Sequence, residues 1–335
     1  MLARKTIFFL LPFLLCTVLK AQLNETTYAE KLGYPKGAKV VILHVDDVGM
    51  SFDSNQGAIS AMTEGIANSC SVMMPCSWVP AFVHYYKQHP KLDVGLHLTL
   101  TSEWSGYRWG PLAGKSQTPG LVDKEGALWP NVVDVVKHAS ADEVDKEIHA
   151  QLDRARNMGI EPTHLDSHMG TLFASPDFLL RYIQLGMGNH IPVMLPAGHA
   201  SLIKVTNHMP EAQIEYIRKL GKMLWDAKLP VLDDLHNESY DWEIPKAMQS
   251  DDQQIQDYKT KKYIEGIHKI KPGITMVIMH CTAPSEVFPF ISGSGPLRKG
   301  DLLAMIDPEF KAAIQKEGII LTTWRELKER RSKLN

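Results

Sequence analysis

Val40-Val41-Ile42-Leu43-His44-Val45-Asp46-Asp47-Val48-Gly49 is the stretch on which the fold assignment turns. Val40 to Leu43 are four consecutive apolar residues with no polar alternation. That is the pattern of a short strand buried on both faces, as in parallel sheets covered by helices. Two adjacent carboxylates, Asp46 and Asp47, stand directly after this run. In parallel α/β barrels the C-terminal ends of strands are where catalytic groups sit.

The same unit recurs along the chain. Helical spacing follows over 55–64, and further apolar runs fall at Cys70 to Met74, Val94 to Leu100 and Thr163 to Asp166. Others lie near Val193, near Val231, at Ile274 to Met279 and at Ile319 to Thr322. Helical patterns separate most of them, including one over 141–158 and one beginning near Pro176. Strands alternating with helices of this length imply βα units and a mainly parallel sheet. Seven or eight units with no Pro/Gly/Ser-rich boundary predict one domain, a TIM-barrel-like (β/α) barrel, distorted or incomplete. An open doubly wound sheet is the alternative.

Arg4 and Lys5 precede an apolar run from Ile7 to Leu19 that ends at Lys20-Ala21-Gln22. This predicts a secretory signal peptide over 1–21, since roughly 13 apolar residues fall short of the about 20 that span a bilayer. The catalytic domain is then 22–335, exported as a periplasmic or secreted protein with no membrane attachment after cleavage. A net charge of −2 gives no electrostatic reason to expect nucleic acid. Beyond the leader only Cys70, Cys76 and Cys281 remain, an odd number that makes no disulfide framework. Cys70 and Cys76 could pair in an oxidising compartment, and buried free thiols are an equal reading. Two long stretches, Ser102 to Asn131 and Leu235 to Gln253, break the rhythm and carry exposed-site or core aromatics such as Tyr240 and Trp242.

Four strand ends carry chemistry. Asp46 and Asp47 are costly side by side unless a cation or proton neutralises them. One of them can hold a metal while the other accepts a proton; a helix-capping pair with a turn glycine is the plain reading. In Gly95-Leu96-His97-Leu98-Thr99, alternation places His97 on the face of Gly95 and Thr99. In His164-Leu165-Asp166-Ser167-His168, period two places His164, Asp166 and His168 on one face if the strand runs that far. Three ionisable groups on a buried strand each need a partner, which a metal site supplies, with Asp166 suited to orient a ligating imidazole. The run Ile274 to Met279 ends in His280, which reads as a general acid, a ligand or a surface residue. Two histidines and a carboxylate with open positions suit zinc hydrolysis or non-haem iron chemistry, and a spare Asp and His favour hydrolysis.

At these residues the chain resembles the YdjC-like carbohydrate deacetylases. That family shows Asp-Asp-Phe-Gly after its first strand, then Gly-x-His, His-x-Asp-Ser-His-x-His and a late strand ending in His. Here they read Asp46-Asp47-Val48-Gly49, Gly95-Leu96-His97, His164-Leu165-Asp166-Ser167-His168-Met169-Gly170 and His280-Cys281, in the same order from about Val40 to Leu321. The resemblance implies a TIM-barrel-like fold and metal-dependent removal of N-acetyl groups from an amino sugar or oligosaccharide. It implies one divalent ion, zinc or magnesium, held by Asp47, His97 and His168, with Asp46 as general base and His280 as general acid. His164 and Asp166 would support the ligands or contact substrate. Val48 and Gly170 depart from the pattern, and Gly170 stands where the third histidine of the motif is usual. A carbohydrate O-acetyl esterase and a non-catalytic sugar-binding protein on the same scaffold are the competing functions.

Overall fold

The computed structural model describes residues 26–334; the leader expected over 1–21 lies outside them. Seven parallel strands make up the sheet: β1 (Lys39–Val48), β2 (Ser69–Val72), β3 (Val94–Leu98), β4 (Leu165–Ser167), β5 (Asp234–His236), β6 (Gly273–Met279) and β7 (Ile320–Leu321). Their order is β4-β3-β2-β1-β6-β5, with β7 beside β1. The chain always steps in the same direction around this order, as in a barrel. A doubly wound sheet reverses direction at a switch point. The gap between the β4 and β5 edges is spanned by single pairings, Leu165 with Val193 and Pro196 with Leu232. The run expected near Val231 leads into β5, whereas the run near Val193 makes only isolated pairings, and the barrel is distorted there.

β1 is the spine. It pairs with β6 from Lys39 to Val45 along one edge. Along the other edge it takes β7 at Val40 and Val41, and β2 from His44 onward. Its apolar residues are fully buried, as an uninterrupted apolar run requires. Helices cover the outside, several of them started by a side-chain cap. The helix Phe52–Thr63 begins three residues earlier than spacing alone predicts because Ser51 caps it, its side chain accepting from Ser54 N. The helix Ala141–Met158 opens on a Ser140/Glu143 capping box and stops at the left-handed Gly159.

Inside the barrel the wall is polar at mid-height. Register places His44 beside Ser69, Ser71 beside Gly95, and His97 beside Asp166, and paired residues of parallel strands share a face. Gly95 is required here, because a Cβ would meet the His164 ring at 2.4 Å. His164 in turn stacks on the fully buried Trp324, ring centroids 5.1 Å apart, towards the end of the barrel where the strands begin. Cys70, Cys76 and Cys281 are buried free thiols. No helix among the described residues is long and apolar enough to cross a membrane.

Candidate active site

A break in β1 turns both carboxylates into the barrel mouth. Adjacent residues of a regular strand point to opposite faces, but the pairing with β2 slips between Val45 and Val48, and Asp47 has φ 64°. Asp tolerates the left-handed region better than most residues, yet holding it there costs about 1–3 kcal/mol. The resulting bulge aims Asp46 and Asp47 at the same space.

Asp47 is the centre of that space. Its Oδ1 lies 3.2 Å from His168 Nδ1 and 3.4 Å from His97 Nε2, and its Oδ2 lies 2.7 Å from Arg298 Nη1. Despite these short approaches, neither oxygen receives a hydrogen bond of acceptable angle, and both are buried. Burial opposes its charge, and Arg298 most of all, then His168 and His97, hold the carboxyl well below the usual carboxylate range. One ligand atom from each of Asp47, His97 and His168 can be chosen so that all lie within 4.8 Å of one another.

Both imidazoles are held from behind by a carboxylate. His97 Nδ1 is 2.6 Å from Asp166 Oδ1, and His168 Nε2 is 3.0 Å from Glu103 Oε1. That leaves His97 Nε2 and His168 Nδ1 facing Asp47, the carboxylate–histidine arrangement found around bound metals. Despite the cost of burial, the flanking acids draw positive charge onto both rings, pushing His97 well up and His168 to about 9. A divalent cation supplies that charge in place of the two protons. The donor set thus fits a cation.

β4 stops at Ser167, so His168 opens a short 3-10 helix (His168–Phe173) and leaves the strand face. Its ring reaches Asp47 all the same. Met169 and Gly170 are both left-handed, and a Cβ at Gly170 would meet only the Phe173 ring, at 3.9 Å. His164 lies below this group: its Nε2 is 3.5 Å from Asp166 Oδ2 and has no hydrogen bond.

Asp46 and His280 face each other across the mouth, Oδ2 to Nε2 4.0 Å. Burial lowers the His280 pKa more than the nearby carboxylates raise it. Asp301 fixes its backbone, accepting from His280 N at 2.9 Å, and is itself held by Tyr263 Oη at 2.6 Å and Lys259 Nζ at 2.7 Å. Tyr240 is half exposed, its ring 4.9 Å from that of His280 and 5.3 Å from the Arg298 guanidinium, with Trp104 on that guanidinium at 5.7 Å. Trp242 packs inward on Tyr263.

His44, Glu103 and Arg298 belong to this site and escape a reading of motifs. His44 lies two residues before Asp46, so alternation could have revealed it. Glu103 sits in a long loop and Arg298 in the helix Gly295–Ile306, and neither has a local signature.

The chain has relatives over most of its length. A carbohydrate deacetylase of Thermus thermophilus is 27% identical over 300 residues, covering 90% of this chain and 97% of that one. A carbohydrate deacetylase of Geobacillus stearothermophilus is 26% identical over 287 residues, 85% and 96% of the two chains. The crystal structure of an Enterococcus faecalis protein named for cellobiose-phosphate cleavage aligns with TM-score 0.69 at 20% identity, over 87% of this chain and 99% of that one; at that identity the likeness speaks for the fold. A family model described as YdjC-like protein matches residues 40–316. That span contains every side chain of the site from His44 to Arg298, and the chain belongs to the YdjC-like protein family.

Proposed function

We propose that the chain is a metal-dependent carbohydrate deacetylase that removes an N-acetyl group from an amino sugar or oligosaccharide. The observation that carries this reading is the pairing of a three-residue donor set, Asp47, His97 and His168, with a separate acid–base pair, Asp46 and His280, 4.0 Å apart. Pure sugar binding needs neither half. The near end-to-end match to proteins named carbohydrate deacetylase supports the reaction class.

Asp47, His97 and His168 would hold the ion, zinc suiting two imidazoles and a carboxylate and magnesium being the other candidate. Bound there, a divalent cation supplies Lewis acidity towards an acetyl carbonyl and towards water. Asp46 takes a proton from the attacking water through Oδ2. His280, kept neutral at rest by its burial, collects that proton and passes it to the departing amine nitrogen as the C–N bond breaks and acetate forms. The Arg298 guanidinium, paired with Asp47 Oδ2, adds fixed positive charge beside the donor set. Tyr240 offers a partly exposed ring at the mouth, on which a sugar face can stack.

The test is acetate release from a panel of N-acetylated and O-acetylated sugars, with chelator and with zinc or magnesium restored. Release from an N-acetylated sugar that chelator stops supports the reading. Release confined to O-acetyl substrates would make the chain an esterase, and sugar binding without release under either metal would make it a binding protein.

A further inference from the structure

The interior below the mouth contains a group that the proposed reaction does not use. His44 is completely buried, one turn of alternation below Asp46 on β1. Its Nε2 lies 3.1 Å from Asp46 Oδ1, 2.9 Å from Asp166 Oδ2 and 3.1 Å from Ser71 Oγ, and Ser71 Oγ also donates to Asp46 Oδ1 at 3.5 Å. Its Nδ1 lies 3.0 Å from Ser69 Oγ, which fixes the ring against a flip. One edge of the imidazole therefore points between two carboxylates that serve opposite halves of the site. Asp46 is the proposed base, and Asp166 holds His97. Although burial works against charge here, the Asp166 and Asp46 carboxylates more than offset it and raise the His44 pKa to about 9.

We propose that His44 is a positioning residue that makes Asp46 a one-sided base, tying Oδ1 down so that only Oδ2 faces the water and His280. This rests on the deacetylase reading above. A carboxylate free to rotate presents either oxygen to the mouth, and misplacement of a proton acceptor by a fraction of an ångström weakens catalysis. Filling a barrel layer needs no such group. An apolar side chain there would leave Asp46 and Asp166 buried without their shared cation.

The experiment is a double-mutant cycle read as kcat and KM for acetate release, with bound metal measured on each protein. His44→Leu and His44→Gln are made alone and on Asp46→Asn. For His44→Leu alone, kcat falls roughly 10–100-fold with KM within about twofold. His44→Gln, which keeps a donor, recovers part of the loss. On Asp46→Asn the same His44→Leu change costs less than about twofold, because the residue through which it acts is already disabled. Metal content stays that of the parent throughout. Wild-type turnover retained by His44→Leu, an equal loss on both backgrounds, or loss of metal would each overturn the assignment. Should His44→Leu not fold, His44→Ala carries the cycle with the same criteria. No acetate from the parent enzyme with any metal overturns the deacetylase reading itself, which separates that failure from this one.

Discussion

Arg298 Nη1 stands 2.7 Å from Asp47 Oδ2, with both side chains buried. The contact joins the last turn of β1 to the helix Gly295–Ile306 and places a permanent cation on the carboxylate that would also hold a metal. Two cations then compete for one acid. Arg298→Gln should lower the stability of the metal-free protein by about 3–5 kcal/mol, the cost of stranding a buried charge. The same change should tighten zinc or magnesium binding about tenfold, since one repulsive charge is gone. Denaturation in chelator reads the first effect and titration calorimetry the second. Weaker metal binding in the variant would show that Arg298 assists the ion and does not oppose it.

Metal should stabilise the fold through the three proposed ligands only. At a free concentration of one hundred times Kd the gain is about 2.7 kcal/mol, visible as a rise in Tm on adding zinc or magnesium. His97→Ala and His168→Ala should abolish the rise. His164→Ala should keep it, because His164 lies below the group and faces Asp166 and Trp324. A His164 variant that no longer responds to metal would redraw the ligand set.

Lys259 and Asp301 form an ion pair with no exposed surface, and Asp301 also accepts from the His280 backbone. Lys259→Met leaves that carboxylate buried without its cation. It should cost about 3–5 kcal/mol in urea unfolding. Turnover should fall as the His280 backbone loosens, while metal content stays constant. Unfolding at the parent's midpoint would show that Tyr263 alone supports Asp301.

His44 also makes a statement about pH. Its folded pKa, about 9, lies above the ordinary 6.5. Its contribution to stability is therefore complete below about pH 6.5 and is lost as pH rises through 9. The difference in unfolding free energy between the parent and His44→Gln, both in chelator, should shrink from pH 6 to pH 9.5. A difference that grows across that interval would mean that the imidazole is neutral in the folded protein.

How much of this was legible follows from the kind of signal each residue carries. Val40 to Leu43 announce a strand because an uninterrupted apolar run has few other homes. The extension of that strand through His44 and Asp46 is hidden, since polar residues on a strand read as its end when the barrel interior they line is not visible. The slip at Asp47 is hidden too. Alternation forbids what the bulge permits, which is two neighbouring side chains on one face. His164, Asp166 and His168 announce themselves by clustering, but their common face breaks at Ser167, and His168 arrives at Asp47 from a 3-10 turn. Arg298 could not be found from sequence. A buried guanidinium looks like any helical Arg until its partner, 251 positions away in the numbering of Asp47, is brought beside it.

β1 is gripped along its ten residues by three strands, whereas the stretch on the far side of the barrel hangs on two single pairings. The barrel wall is therefore densely paired where it carries the two carboxylates and thinly paired between Val193 and Leu232, so a change on β1 is felt by more neighbouring strands than a change there.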